Sequence, residues 1–79
     1  MNYKYMKITN ERFSIRFCHI AKNYGFKSVG PFETFLLQCN KNAKLCHAWE
    51  TTRISRLLRI SRLLKEIEAF KYYTNQTNN

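Results

Sequence analysis

Acids, glycine, proline and histidine are all scarce in this chain. Five Asp and Glu stand against fourteen Lys and Arg, with two Gly, one Pro and two His among 79 residues. So few carboxylates and imidazoles leave little material for acid–base catalysis. Two of the acids, Glu66 and Glu68, sit beside Lys65, as solvated charges on a helix do. A Cys–His dyad built from Cys18 or Cys46 with His19 or His47 has neither a glycine-rich loop nor an evident oxyanion site to serve it. No window approaches the ~20 apolar residues of a membrane span. Met1-Asn2-Tyr3-Lys4-Tyr5-Met6-Lys7 lacks the apolar run of a signal sequence. Three cysteines, an odd number, suggest no disulfide framework. These absences predict a non-enzymatic chain in a reducing, cytoplasmic setting, with no membrane association, metal or cofactor.

What the chain has in quantity is positive charge and aromatic rings. A net charge of +9 and a pI near 9.8 favour polyanions: nucleic acid, a nucleoprotein complex or an acidic protein surface. Six Phe, five Tyr and one Trp supply core material, since each buried ring removes a large area from water. At this length one domain is the limit, and its core gives only a few kcal/mol of net stability. Support from a partner, an oligomer such as a homodimer, a metal or a ligand is therefore expected. The predicted domain covers residues 1–73, with a disordered polar tail at 74–79. Asn- and Lys-rich usage suggests an AT-rich source such as a bacterium, phage or mobile element.

Taken in order, the first half reads as strands. Residues 3–8 alternate imperfectly, Thr9-Asn10-Glu11 is turn chemistry, and Phe13, Ile15 and Phe17 alternate with Ser14, Arg16 and Cys18. The expectation is a β-hairpin with one aromatic face. A short strand at 26–29 fits between turn signals at Asn23-Tyr24-Gly25 and Gly30-Pro31. Residues 31–49 are ambiguous. Phe32, Phe35, Leu36 and Cys39 have helical spacing, with Pro31 suited to a first helical position. The alternative pairs 34–39 with 44–49 across Asn40-Lys41-Asn42-Ala43, putting Phe35, Leu37, Cys39, Cys46 and Ala48 on one face. The hairpin is preferred, because Asn-Lys-Asn interrupts any longer helix.

Residues 52–72 predict one long helix, capped by Thr51 or Thr52, with Trp49 packed back on its first turns. It contains the hexapeptide Arg-Ile-Ser-Arg-Leu-Leu written twice, at 53–58 and 59–64. Six residues turn a helix by about 240°, so the two copies cannot present the same face. Leu57, Ile60, Leu63, Leu64, Ile67 and Phe70 share one core-facing arc. Ile54 and Leu58 point away from it, as an expected seam for a second copy or a protein partner. Arg53 and Arg56 fall inside the arc, near its N-terminal end. The predicted architecture is α+β: a small antiparallel sheet of about three to five short strands, packed by one long C-terminal helix.

Charge and rings together select the candidate binding residues. Arg53, Arg56, Arg59 and Arg62 step by three along the helix, while Lys4, Lys7, Arg12 and Arg16 accompany Tyr3 and Tyr5 in the N-terminal segment. Basic groups neutralise phosphates and exposed rings stack on bases, so this set predicts a nucleic-acid or partner surface. Trp49-Glu50 followed by Arg53 resembles the tryptophan–glutamate–arginine pattern after the recognition helix of repressor-like helix-turn-helix domains. The resemblance covers those positions alone. The stretch before them reads as strands and lacks the helix, tight turn and small residue that such a domain implies. Cys18-His19, Cys39 and Cys46-His47 lack zinc spacing, since Cys39 and Cys46 are separated by six residues. The leading functional expectation is a small basic module that binds nucleic acid. The alternatives are a phage or mobile-element inhibitor that blocks a host defence complex by protein contact, and a small basic ribonuclease toxin.

Overall fold

A computed structural model describes residues 3–42 and 53–77, and the side chains at 3–42 and 58–74. A 3-10 turn at Tyr3–Tyr5 precedes three helices: α1 (Ile15–Asn23), α2 (Val29–Lys41) and α3 (Arg53–Thr77). Among the described residues there is no strand, only an isolated antiparallel bridge between Lys7 and Ser28. The predicted antiparallel sheet is therefore absent from these residues, and the α+β expectation gives way to a helical fold.

α1 shows why the strand reading fails. Phe13, Ile15 and Phe17 alternate, but Phe13, Phe17 and Ala21 also recur every four residues. The second period is the one used, since those three are buried and Ile15 is 65% exposed. Ser14 fixes the start as N-cap, its Oγ accepting the Phe17 N–H at 3.2 Å. The end is a Schellman motif. The Phe26 N–H donates to the Ala21 carbonyl at 2.8 Å and the Gly25 N–H to that of Lys22 at 2.9 Å. Gly25 sits at φ 82°, where a side chain would strain the backbone.

α2 resolves the ambiguity of 31–49 against the preferred hairpin. Phe32, Leu36 and Cys39 are fully buried and Phe35 is half-buried, while Leu37, expected on the same face as Phe35 and Cys39, is 47% exposed. Asn40-Lys41-Asn42 does break the helix, but as its end: Lys41 is the last helical residue and Asn42 the C-cap. Pro31 stands third rather than first. It is tolerated there because first-turn N–H groups have no partner within the helix. Cys39 is disulfide-bonded, against the expectation of no disulfide, and Cys18 is free. Cys46, Ala48, Trp49 and the capping threonines also fall outside.

α3 carries the expected core stripe from residue 60 onward: Ile60, Leu63, Ile67 and Phe70 are buried and Leu64 is half-buried, while the Leu57 side chain lies outside those described. Thr74 extends it by another turn, and the helix continues past its expected end at 72 to Thr77. Leu58 is 55% exposed. The three helices interlock through rings. Phe13 stacks on Phe17 with centroids 4.2 Å apart, Phe17 meets Phe32 edge-on at 5.0 Å, and Phe13 meets Phe70 at 4.9 Å. Tyr24, Phe26 and Phe35 form an outer layer beside Phe32.

The N-terminal segment lies across the start of α2. The Val29 N–H donates to the Met6 carbonyl at 3.0 Å, giving a partner to one of the orphan donors of α2, and the Ile8 N–H donates to the Lys27 carbonyl at 3.0 Å. Gly30 permits the approach, because a Cβ there would lie 2.7 Å from that of Lys4.

Candidate nucleic-acid interface

The predicted binding residues separate into three groups. Tyr3 is not a free stacking ring, because a polar tie between the N-terminus, α2 and α3 uses it. Its hydroxyl donates to Glu33 Oε1 at 2.5 Å, and Lys71 pairs with Glu33 Oε2 at 2.7 Å and Glu68 at 3.2 Å. The Lys71 ammonium also stands 4.8 Å from the Tyr3 ring centre. Burial alone would raise the Glu33 carboxyl, but Lys71 and the Tyr3 hydroxyl outweigh it and hold the carboxyl below its ordinary range. Lys71 is pushed well above its usual value, chiefly by its hydrogen bond to Glu33. Burial, then the hydrogen bond with Glu33, raises Tyr3.

These shifts set a pH window. The Glu33 contribution is present above about pH 4.5, its ordinary value, and is lost as pH falls through the depressed folded value. The Lys71 contribution is full below about 10.5 and is lost as pH rises, and Tyr3, favoured as the neutral phenol, adds to the loss above about 10. Thermal melts against pH should therefore show an acid shoulder and an alkaline one. Glu33→Gln should remove the acid shoulder and cost about 1–2 kcal/mol at neutral pH. An unchanged acid shoulder would show that Glu33 has no part in it.

The second group flanks α2. Its exposed residues Pro31, Thr34, Gln38 and Lys41 recur at helical spacing and form one stripe without an acid, with Leu37 beside it. Lys4 and Tyr5 line a shallow depression of about 310 Å³ with Ser28, Gly30, Pro31 and Thr34, at the N-terminal end of this stripe. Tyr5 is 81% exposed, and Lys7 and Lys27 are exposed nearby in the chain. The first turn of α2 is largely covered, since Val29, Gly30 and Phe32 are buried and Pro31 alone of the four is exposed.

The third group is a cleft of about 470 Å³ between the start of α1 and α3, lined by Ser14, Arg16, Leu58, Arg59, Arg62, Leu63 and Glu66. Glu66 accepts from the Ser14 N–H at 2.6 Å and from Ser14 Oγ at 3.1 Å, so it caps α1 from another helix. Arg12 is exposed in the turn before α1 and lines neither the depression nor the cleft. Arg53, Ile54 and Arg56 lie on the helical backbone of α3, but their side chains fall outside those described.

Other chemistry finds little support. Burial and the nearby Glu66 carboxylate push the Cys18 thiol up, opposite to what a nucleophile needs. Among the described residues no three His, Cys, Asp or Glu side chains come together as metal ligands. Nor is any helix among them long and apolar enough to cross a membrane. No protein-family model, curated protein or solved structure matches this chain.

Proposed function

We propose that this chain is a non-enzymatic DNA-binding module of helix-turn-helix form, with α1 as the supporting helix and α2 as the helix that enters the groove. The observation that carries the reading is the α1–turn–α2 unit itself. A 9-residue helix ends in a left-handed glycine, turns through Tyr24–Ser28 and continues as a 13-residue helix, with the small residue Ala21 fully buried one turn before Gly25. That is the helix, tight turn and small residue that the alternating pattern upstream of Trp49 concealed.

The α2 stripe has suitable chemistry for a major groove. Gln38 offers a donor and an acceptor on one amide, the pattern that pairs with adenine, and Thr34 and Leu37 suit a thymine methyl. Lys41, with Lys4, Lys7 and Lys27 beside the start of α2, supplies phosphate contacts. Because its first turn is largely covered, the contact runs from Thr34 to the C-terminal end of the helix at Lys41. The net charge of +9 supports a polyanion partner independently of the helices. A nucleic-acid partner implies an intracellular setting, and the disulfide at Cys39 is the feature that argues against a reducing one.

Selection from a random duplex pool, followed by titration of the best sequence, tests the reading. Gln38→Ala should weaken the selected duplex about tenfold while leaving non-specific duplex binding unchanged. Equal affinity for single strands, with no effect of Gln38→Ala, would refute groove reading. The exposed Leu58 favours a second reading, a protein partner or second copy on that side of α3. Its mark in the same titrations is an association indifferent to salt.

A further inference from the structure

The cleft between α1 and α3 has no part in the α1–turn–α2 reading, yet it gathers charge that the fold leaves unspent. Arg16 reaches it from α1, and Arg59 and Arg62 from α3. None of the three makes an ion pair among the described residues. The one carboxylate among the described residues that line the cleft, Glu66, is committed to the Ser14 N–H and hydroxyl. The charge of Glu66 offsets one of the three arginines that line the cleft, which leaves it net positive. Leu58 and Leu63 give the cleft apolar sides.

We infer that this cleft is a seat for a phosphate group, with Arg16, Arg59 and Arg62 as its donors. Guanidinium groups present paired N–H donors whose spacing matches two phosphate oxygens, a fit that a carboxylate-poor cleft offers to anions and refuses to cations. The cleft is open and, at about 470 Å³, larger than a lone phosphate requires, so it suits a group carried on a longer chain. The occupant is a phosphodiester of a nucleic-acid backbone. That identity rests on the reading of the preceding subsection; the anion seat itself does not. The arrangement gives the module two kinds of contact: α2 reads bases, and the cleft between α1 and α3 holds the backbone without regard to sequence.

The test uses the full chain with a mixed-sequence duplex, followed by fluorescence anisotropy over a range of salt. Arg59→Gln combined with Arg62→Gln should lower the slope of log affinity against log salt by about 0.9, the change for one phosphate no longer neutralised. The loss of affinity should be the same for every sequence, unlike that of Gln38→Ala. An unchanged slope overturns the seat, provided far-ultraviolet circular dichroism shows the double variant as helical as the parent. If the parent binds no duplex, groove reading fails but the seat is still decided by inorganic phosphate. Millimolar phosphate should shift the Nε–H resonances of Arg16, Arg59 and Arg62 in the parent, and that of Arg16 less in the double variant. Phosphate that moves none of them overturns the seat whatever the duplex does.

Discussion

Phe17→Ala should remove about half of the stability of this protein, while Ile15→Ala, two residues earlier, should remove almost none. Phe17 is fully buried, stacks on Phe13 at 4.2 Å and meets Phe32 edge-on at 5.0 Å, so it joins α1 to α2. Truncating a buried Phe to Ala costs about 3–5 kcal/mol, through lost transfer energy and the cavity left behind. A domain of 79 residues has only about 4–12 kcal/mol in all. Ile15 is 65% exposed, and substitutions at such positions stay within about 0.5 kcal/mol. Urea unfolding followed by circular dichroism measures both. The pair also decides between secondary structures. On a strand, residues 15 and 17 share a face and should cost alike; on a helix they do not. Equal losses would overturn α1 as described.

The same comparison explains what the sequence disclosed and what it hid. α3 is legible because it is long: over 60–70 the apolar positions follow a helical period with no competing pattern, and Ile60, Leu63, Ile67 and Phe70 are all buried. α1 has nine residues, too few to separate a period of two from a period of four when Phe13 and Phe17 satisfy both. In α2 the helical spacing of Phe32, Leu36 and Cys39 is visible, but the polar Asn40-Lys41-Asn42 suits a hairpin loop as well as the helix end that it forms. The signal that decides the matter is local. Ala21 four residues before Gly25, with Phe26 next, is a small residue packed one turn ahead of a glycine stop.

The candidate surfaces divide in the same way. Arg59 and Arg62 can be placed outside the core arc from the helix alone, but their meeting with Arg16 depends on how α1 packs. Thr34, Gln38 and Lys41 escape a reading of the sequence because their stripe exists only on a helix. Tyr3 is expected to stack on bases. It is drawn instead into a tie with Glu33 and Lys71, two residues far from it in sequence and from different helices. A ring among lysines in the sequence does not reveal whether the fold already uses it.

Gly30→Ala separates the two effects that a helical glycine usually mixes. By helix propensity alone the substitution should stabilise α2, by up to about 1 kcal/mol. The added Cβ would lie 2.7 Å from Lys4 Cβ, 3.0 Å from the Lys4 carbonyl oxygen and 3.1 Å from its Cα. Two of those atoms are backbone and the third is fixed to it, so no side-chain rotation relieves the contact. Overpacking of this kind costs about 1–3 kcal/mol, and against the propensity gain a net loss of about 1 kcal/mol is expected. The cheapest escape is for Tyr3–Ile8 to lift from α2. That would break the Val29-to-Met6 and Ile8-to-Lys27 hydrogen bonds and pull Tyr3 from Glu33. Hydrogen exchange at the Ile8 and Val29 amides should therefore accelerate, while amides in the middle of α3 change only with the global loss. A variant more stable than the parent, with both amides still protected, would show that the N-terminal segment does not pack against Gly30. The covering of the first turn of α2, which moves the proposed groove contact to Thr34, Gln38 and Lys41, would then have to be withdrawn.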